Sequence, residues 1–217
     1  MIIVGICGGS GKSTFAERIR DGLSCSCEIM RLDCYYFDQG GKPFEERTKV
    51  NYDSPEIFDF DEMLEDIRLL LDGKPVTRKG YNYAEHRRDD SEELMYPPEV
   101  LIIEGIHVFY DDRICDIMNL KLFIKVDSDI CLLRRIARDM NERGRSLESI
   151  SEQYKATVKP MREKYIDKYI DKADVVVMRG GMNEQALKTT ISYLKSCVKE
   201  QRSAESEKTE INGNDSE

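Results

Sequence analysis

Apolar residues follow two alternating patterns along the chain. Short, almost continuous apolar runs are typical of strands buried on both faces of a parallel sheet. Such runs occupy residues 1–6, 29–32, 100–103, 120–126 and 175–178. Longer stretches with helical spacing of apolar residues separate them. This alternation predicts an α/β fold, a three-layer arrangement with a doubly wound parallel sheet of five strands. Its ligand site should lie at the carboxyl ends of the strands.

Three segments depart from this alternation. Residues 72–98 mix Gly and Pro with aromatic and charged residues, which predicts a small β-hairpin insertion. Residues 134–155 are helical in pattern and rich in Arg, and they predict a helical lid. The last fifteen residues, 203–217, hold five acidic residues, one Lys and almost nothing apolar. They predict a disordered acidic tail, so the folded domain should span residues 1–202.

Composition and charge narrow the class of partner. The chain is 40% apolar, with 42 acidic against 33 basic residues and a net charge of −9. This balance argues against a broad nucleic-acid or anionic-membrane surface, since both depend on clustered Lys and Arg. No apolar run approaches the ~20 residues of a membrane-spanning helix, and no signal-like leader is evident. The seven cysteines form no disulfide-like or metal-like spacing. Together these features favour a cytoplasmic protein with free thiols.

The first predicted strand leads into a glycine-rich turn that opens a helix, which is the context of a nucleotide phosphate-binding loop. Glycines let backbone N–H groups approach phosphate oxygens, and the helix N-terminus adds further donors. Lys12 should reach the terminal phosphates, and the Ser13 hydroxyl should ligate Mg²⁺. The predicted nucleotide-binding residues are Gly8, Gly9, Ser10, Gly11, Lys12, Ser13 and Thr14.

Two acidic residues follow predicted strands. Asp33 comes just after the second strand, at a position from which a carboxylate can face a transferring phosphate. A turn or N-cap aspartate is the structural alternative. Glu104 ends the third strand, where an acid can hold Mg²⁺ directly or through water, or can be purely structural.

Arginines cluster in the predicted lid. Arg135 and Arg138 lie three positions apart and share a helix face, and Arg143 follows at a glycine break. A solvated charged face is one interpretation. In a chain with a phosphate loop, the pattern favours a lid that closes guanidinium groups over the negative charge that develops in phosphoryl transfer.

Four further segments resemble the uridine kinase (uridine–cytidine kinase) family of P-loop phosphotransferases. They are residues 33–36, 51–59, 81–87 and 134–160, in the family's order, and the resemblance covers roughly residues 1–180. It implies a P-loop NTPase-type fold and phosphorylation of the 5′-hydroxyl of uridine, and of cytidine, to UMP or CMP. ATP or GTP would be the phosphate donor, with Mg²⁺. Family members tend to be tetramers, so the resemblance also implies a homo-oligomer.

The resemblance also implies roles for individual residues. Asp33 would be the general base for the nucleoside 5′-hydroxyl, and the lid arginines would act on the transferring phosphate. Tyr81 and His86 would contact the base and Asp53 the ribose. The full set of predicted substrate-binding residues is Tyr36, Tyr52, Asp53, Tyr81, Tyr83, His86, Arg135 and Gln153. His107 has no evident partner and is interpreted as structural.

Two alternatives stay open. One is a related kinase of a sugar phosphate, such as phosphoribulokinase, which shares the loop and an early Asp. The other is a nucleotide-binding sensor with little or no turnover, and a departure from the family pattern motivates it. Counted back from Lys12, the phosphate loop is two residues shorter than the family's Gly-x-x-Gly-x-Ser-x-x-Gly-Lys-Ser arrangement. A shorter loop offers fewer backbone donors to the β-phosphate, unless the first strand slides to supply Gly5.

Overall fold

A computed structural model describes residues 1–214, and their side chains except at 205 and 208–214. The described residues form seven strands: β1 (Ile2–Gly8), β2 (Cys27–Arg31), β3 (Val76–Asn82), β4 (Arg87–Met95), β5 (Val100–Glu104), β6 (Leu120–Lys125) and β7 (Val175–Met178). The α-helices are α1 (Lys12–Gly22), α2 (Phe44–Arg47), α3 (Phe60–Leu71), α4 (Asp112–Asp116), α5 (Ser128–Arg143), α6 (Leu147–Gln153), α7 (Lys159–Lys164) and α8 (Glu184–Asn214). Short 3₁₀ turns cover Leu32–Tyr35, Pro55–Ile57 and Ile166–Lys172, and one π-helical turn covers Tyr154–Val158.

The main sheet has five parallel strands in the order β2-β5-β1-β6-β7. The central strand β1 pairs with β5 on one side and β6 on the other, so that Gly5 lies opposite both Ile103 and Lys121. The predicted five-stranded parallel sheet is therefore confirmed. All five carboxyl ends lie at one edge, where the loops after β1, β2 and β5 meet.

Each face of the sheet carries its own apolar core, because side chains alternate along a strand. On one face, Val4 and Ile6 of β1 pack with Phe15 of α1 and Leu194 of α8. On the other face, strand residues pack with α3 and the base of the hairpin, as shown by the fully buried Ile67. Helices cover both faces, which confirms the three-layer, doubly wound arrangement.

The hairpin insertion is also confirmed. Strands β3 and β4 pair antiparallel from Val76 opposite Met95 to Asn82 opposite Arg87, with a register shift between Lys79 and Tyr81. That shift re-aims the tip of the hairpin relative to its base. The tip lies over the carboxyl edge of the main sheet.

The lid has a break where the sequence places one. Helix α5 ends at Gly144, which has the left-handed φ of 61°, a conformation that glycine adopts without strain. The Ser146 side chain then caps α6 by accepting a hydrogen bond from the Ser149 N–H at 3.2 Å. After this cap the chain continues through α6, the π-helical turn and α7.

Helix α8 runs into the segment for which the sequence predicts disorder. Residues 203–214 are helical in the structure, whereas residues 215–217 lie outside the described residues. Among the described side chains of α8, Leu194 and Val198 lie in the core, and beyond them Arg202 pairs with Glu99 at 2.6 Å. The sequence after residue 202 has almost no apolar residues, so it lacks the apolar spacing that predicts a helix. No described helix is long and apolar enough to cross a bilayer.

Candidate active site

The phosphate loop is a tight connection between β1 and α1. Gly9 donates its N–H to the Ile124 carbonyl at 2.7 Å, and Lys12 Nζ donates to the carbonyls of Gly8 at 3.4 Å and Gly9 at 3.3 Å. Gly11 begins the helix at φ 99°. The loop therefore commits its first N–H to the neighbouring strand and leaves the N–H groups from residue 10 onward for a phosphate.

A second glycine-rich turn packs against the phosphate loop. A Cβ atom at Gly181, in the turn after β7, would lie 2.2 Å from the Gly11 carbonyl oxygen. Only glycine permits this approach. Gly181 is not among the residues predicted from the sequence. A signal for it was present in the pair Gly180-Gly181 shortly after β7, since glycines after a strand also mark the phosphate loop.

Ser13 and Glu104 meet at the carboxyl edge of the sheet. The Ser13 hydroxyl donates to Glu104 Oε1 at 2.9 Å, and Glu104 is only 6% exposed. Burial raises the pKa of the Glu104 carboxyl, against the opposing effect of nearby Lys12. No three His, Cys, Asp or Glu side chains gather into a metal cluster among the described residues. A buried carboxylate and a hydroxyl next to a phosphate loop fit Mg²⁺, which takes few protein oxygens and completes its shell with phosphate and water.

The lid arginines surround one buried carboxylate. Asp139 is fully buried, and four guanidinium groups lie within 3.6 Å of it. These belong to Arg135, Arg138, Arg143 and Arg145. Burial and the neighbouring Arg138 lower the pKa of Arg143. Asp139, even together with Asp53 at 3.5 Å from Arg135, does not balance four cations, so the cluster keeps a positive excess that an anion can neutralise.

Sequence reasoning named three of these arginines and missed both Asp139 and Arg145. Asp139 lies four positions after Arg135 and four before Arg143, which is the spacing of neighbours on a helix. That spacing was a readable signal. Arg145 follows the helix break and returns to the cluster by donating to Gln153 Oε1 at 2.5 Å.

Three predicted substrate-binding residues meet between the lid and the main sheet. Arg135 lies 3.5 Å from Asp53 Oδ1 and donates to Gln153 Oε1 at 3.3 Å. The Thr157 hydroxyl donates to Asp53 Oδ2 at 3.3 Å. Thr157 was not expected, because the π-helical turn that positions it has no evident signal in the sequence. Asp53 and Arg135 line a cavity of about 420 Å³ together with the phosphate loop.

His107 does have partners. Its Nε2 lies 2.8 Å from the Asp53 carbonyl oxygen, and its Nδ1 lies 2.9 Å from the Tyr169 hydroxyl. Because a carbonyl only accepts, Nε2 carries the proton and Nδ1 accepts from Tyr169. Burial, with a smaller effect from Lys12, lowers the pKa of His107 to about 4. The neutral imidazole therefore fixes the main chain at Asp53.

This pKa predicts a pH-dependent stability. Between pH 6.5, the ordinary pKa of histidine, and about 4, the unfolded chain binds a proton at His107 that the folded chain does not. Stability from this residue is complete above pH 6.5 and is lost as the pH falls. Urea unfolding at pH 7 and pH 5 should differ by about 2 kcal/mol on its account. A glutamine in His107→Gln can make both hydrogen bonds but does not titrate. The difference in unfolding free energy between pH 7 and pH 5 should therefore be smaller in this variant by that amount. An equal difference in both proteins contradicts the assignment.

Aromatic side chains of the hairpin and the segment after β2 form a box. Tyr36 is buried, and its ring centroid lies 4.6 Å from that of Tyr81 and 5.5 Å from that of Tyr52. Tyr52 stacks on His86 at 5.0 Å, and Tyr81 contacts Tyr83 edge-on at 5.1 Å. The structure thus brings the predicted aromatic residues together. Tyr36 forms the floor, and its hydroxyl donates to the Tyr52 carbonyl.

Tyr81 and His86 give the box its polar groups. The Tyr81 hydroxyl is buried and has the Tyr52 hydroxyl as its neighbour. Burial, followed by the nearby Arg145, lowers the pKa of His86, which favours a neutral imidazole. A flat box with tyrosine hydroxyls and a neutral imidazole suits an uncharged aromatic ligand with polar edges.

Asp33 lies between the box and the lid, in the 3₁₀ turn after β2. Its Oδ2 accepts a hydrogen bond from the Tyr83 hydroxyl at 2.5 Å. The Arg143 guanidinium lies 4.4 Å from the centroid of the same Tyr83 ring. Hairpin, candidate base and lid are therefore in contact through one side chain.

Comparisons with known proteins agree with this geometry. The family described as phosphoribulokinase / uridine kinase matches residues 2–186, a range that includes the loop, hairpin and lid. A uridine kinase of Ligilactobacillus salivarius is 41% identical over 201 residues, covering 91% of this chain and 94% of that protein. A uridine kinase of Streptococcus uberis is 44% identical over 189 residues, covering 86% and 90%.

Two solved structures share the fold. Phosphoribulokinase from Rhodobacter spheroides has a TM-score of 0.61 at 14% identity, covering 82% of this chain and 69% of that chain. D-glycerate 3-kinase from Cryptococcus neoformans has a TM-score of 0.51 at 12% identity, covering 84% and 87%. At these identities the likeness extends to the fold alone.

Proposed function

The chain belongs to the phosphoribulokinase/uridine kinase family, and from that premise we propose that it transfers the terminal phosphoryl group of ATP to the 5′-hydroxyl of uridine and cytidine. The observation that carries the proposal is the position of Asp33. This carboxylate accepts a hydrogen bond from Tyr83 of the aromatic box and lies close enough to Glu104, the partner of Ser13, for its charge to act on that carboxyl. Relatives 41% and 44% identical to this chain are named uridine kinases, which supports the same acceptor.

The loop and the lid would hold the phosphate donor. Backbone N–H groups from residue 10 onward and Lys12 would bind the phosphates, and the positive excess around Asp139 would face the transferring group. Phosphoryl transfer depends mainly on positioning and on electrostatic stabilisation of charge that spreads over the phosphate oxygens. The short loop supplies fewer backbone donors, so a larger share of that stabilisation falls to Lys12 and the lid.

The acceptor would lie in the box. Tyr81 and His86 would hydrogen-bond the edges of the pyrimidine, while Asp53 would accept from ribose hydroxyls. Asp33 would then accept the proton of the attacking 5′-hydroxyl. Ser13 and Glu104 would hold Mg²⁺, directly or through water, and the ion would neutralise negative charge on the phosphates.

The box argues against a sugar phosphate as acceptor. A sugar phosphate has no aromatic ring to fill a flat box, whereas four tyrosines and His86 line the acceptor side here. A sensor without turnover is disfavoured for another reason: Lys12, Ser13, Asp33 and Glu104 are all present and gathered at one edge of the sheet.

A substrate panel tests the proposal. The protein is incubated with MgATP and, in turn, uridine, cytidine, purine nucleosides and ribulose 5-phosphate, and ADP release is followed. Release only with the pyrimidine nucleosides, abolished by chelating the metal with EDTA, is the expected result. Release only with ribulose 5-phosphate, or ATP binding without release for any acceptor, contradicts it.

A further inference from the structure

Tyr83 makes a contact that substrate binding alone does not require. Its hydroxyl donates to Oδ2 of Asp33, the carboxylate proposed as the general base. Burial and the Asp33 charge raise the pKa of Tyr83, so its hydroxyl stays protonated at physiological pH and can only donate to the carboxylate. The nucleoside 5′-hydroxyl would approach the same carboxylate, also as a donor.

The same ring reaches the lid. Arg143 lies against the face of Tyr83 at 4.4 Å, within the range of a cation–π contact. Tyr83 thus holds one carboxylate oxygen of Asp33 from the hairpin side while it contacts a lid arginine. Both residues remain partly accessible to solvent, so the hydrogen bond, rather than burial, limits the access of water to that oxygen.

Water can replace the nucleoside as acceptor of the terminal phosphoryl group, because a carboxylate next to a bound triphosphate can activate a water molecule as well. In that reaction a water oxygen bonds to the terminal phosphorus, and the bond from phosphorus to the bridging oxygen breaks. The electron pair of the broken bond stays on ADP, and the water proton passes to Asp33. The products are ADP and inorganic phosphate, and no nucleoside is consumed. A kinase must therefore keep water from its base until the acceptor arrives.

We propose that the Tyr83 hydroxyl occupies Asp33 until the nucleoside 5′-hydroxyl replaces it, and thereby suppresses hydrolysis of the phosphate donor. The inference rests on the proposed function, because Asp33 must be the base. Exchanging one hydroxyl donor for another on a carboxylate costs little free energy, so the nucleoside is not excluded. Tyr83 is a positioning residue in this scheme, since it acts through Asp33.

The test is ADP release from MgATP without nucleoside, compared between the native protein and Tyr83→Phe. The phenylalanine keeps the ring and its contact with Arg143 and removes only the hydroxyl. Loss of one hydrogen bond to a charged group should raise nucleoside-independent ADP release about tenfold or more. The matched control is Tyr96→Phe, which removes an exposed hydroxyl just beyond β4 and should leave that rate unchanged.

A second variant assigns the extra hydrolysis to the base. Adding Asp33→Asn to Tyr83→Phe should remove the increase. If Tyr83→Phe phosphorylates uridine but hydrolyses ATP no faster than the native protein, the role of Tyr83 is wrong and the proposed function stands. If the native protein fails to phosphorylate uridine or cytidine, the proposed function itself is wrong, which is a separate result from the same assay.

Discussion

Asp33→Asn is expected to lower kcat for uridine phosphorylation by about 10²–10⁴, the usual contribution of a positioned general base. Asparagine has nearly the volume of aspartate and still accepts a hydrogen bond from Tyr83, but it cannot take the proton of the 5′-hydroxyl. The affinity for MgATP, measured by calorimetry, should be nearly unchanged, since the proposal gives binding of the phosphates to Lys12 and the loop and not to Asp33. Steady-state assays at saturating uridine measure kcat directly.

The matched control for this prediction is Asp72→Asn. Asp72 follows α3, is exposed and lies away from the site, so the same chemical change there should leave kcat unaltered. A kcat for Asp33→Asn within threefold of the native value would remove Asp33 from the role of base. Reduced MgATP affinity in the same proportion as kcat would place Asp33 in donor binding instead.

Features carried by neighbouring residues were predictable from the sequence. The apolar run of β5 has to be a buried strand, and the strand, glycine turn and Lys12 are continuous in sequence. Composition alone indicated a hairpin over 72–98. In each case the physical cause is local: side-chain periodicity, backbone freedom at glycine, or proline and glycine at turns.

Contacts between distant segments were not predictable in the same way. Tyr83 and Asp33 are 50 positions apart, and their contact depends on the register shift within the hairpin. His107 had no evident partner because Asp53 and Tyr169 reach it through the folding of two other segments. Residue types indicated the chemistry, while the pairing depended on the packing of the sheet and its insertions.

The other large expected effect concerns the lid, at the fully buried Asp139. Asp139→Asn should lower kcat/KM for ATP by about 10²–10³, a part of the 10³–10⁵ that a transition-state arginine contributes. The carboxylate is the shared partner of all four lid guanidinium groups. Without its charge these cations repel one another, and they lose the fixed orientation that electrostatic stabilisation requires.

Asp129→Asn is the matched control for the lid, because Asp129 lies exposed in the first turn of the same helix α5. Thermal unfolding of both variants separates loss of fold from loss of lid geometry: Asp139→Asn should stay folded at the assay temperature and still be slow. Because Arg135 also contacts Asp53, the KM for uridine should rise as well, by less than the fall in kcat/KM for ATP. A folded Asp139→Asn protein with native kcat/KM would contradict this prediction. It would mean that Gln153 and Ser149, the other acceptors of Arg145, are enough to position the lid. The buried carboxylate would then contribute only to the stability of the helix.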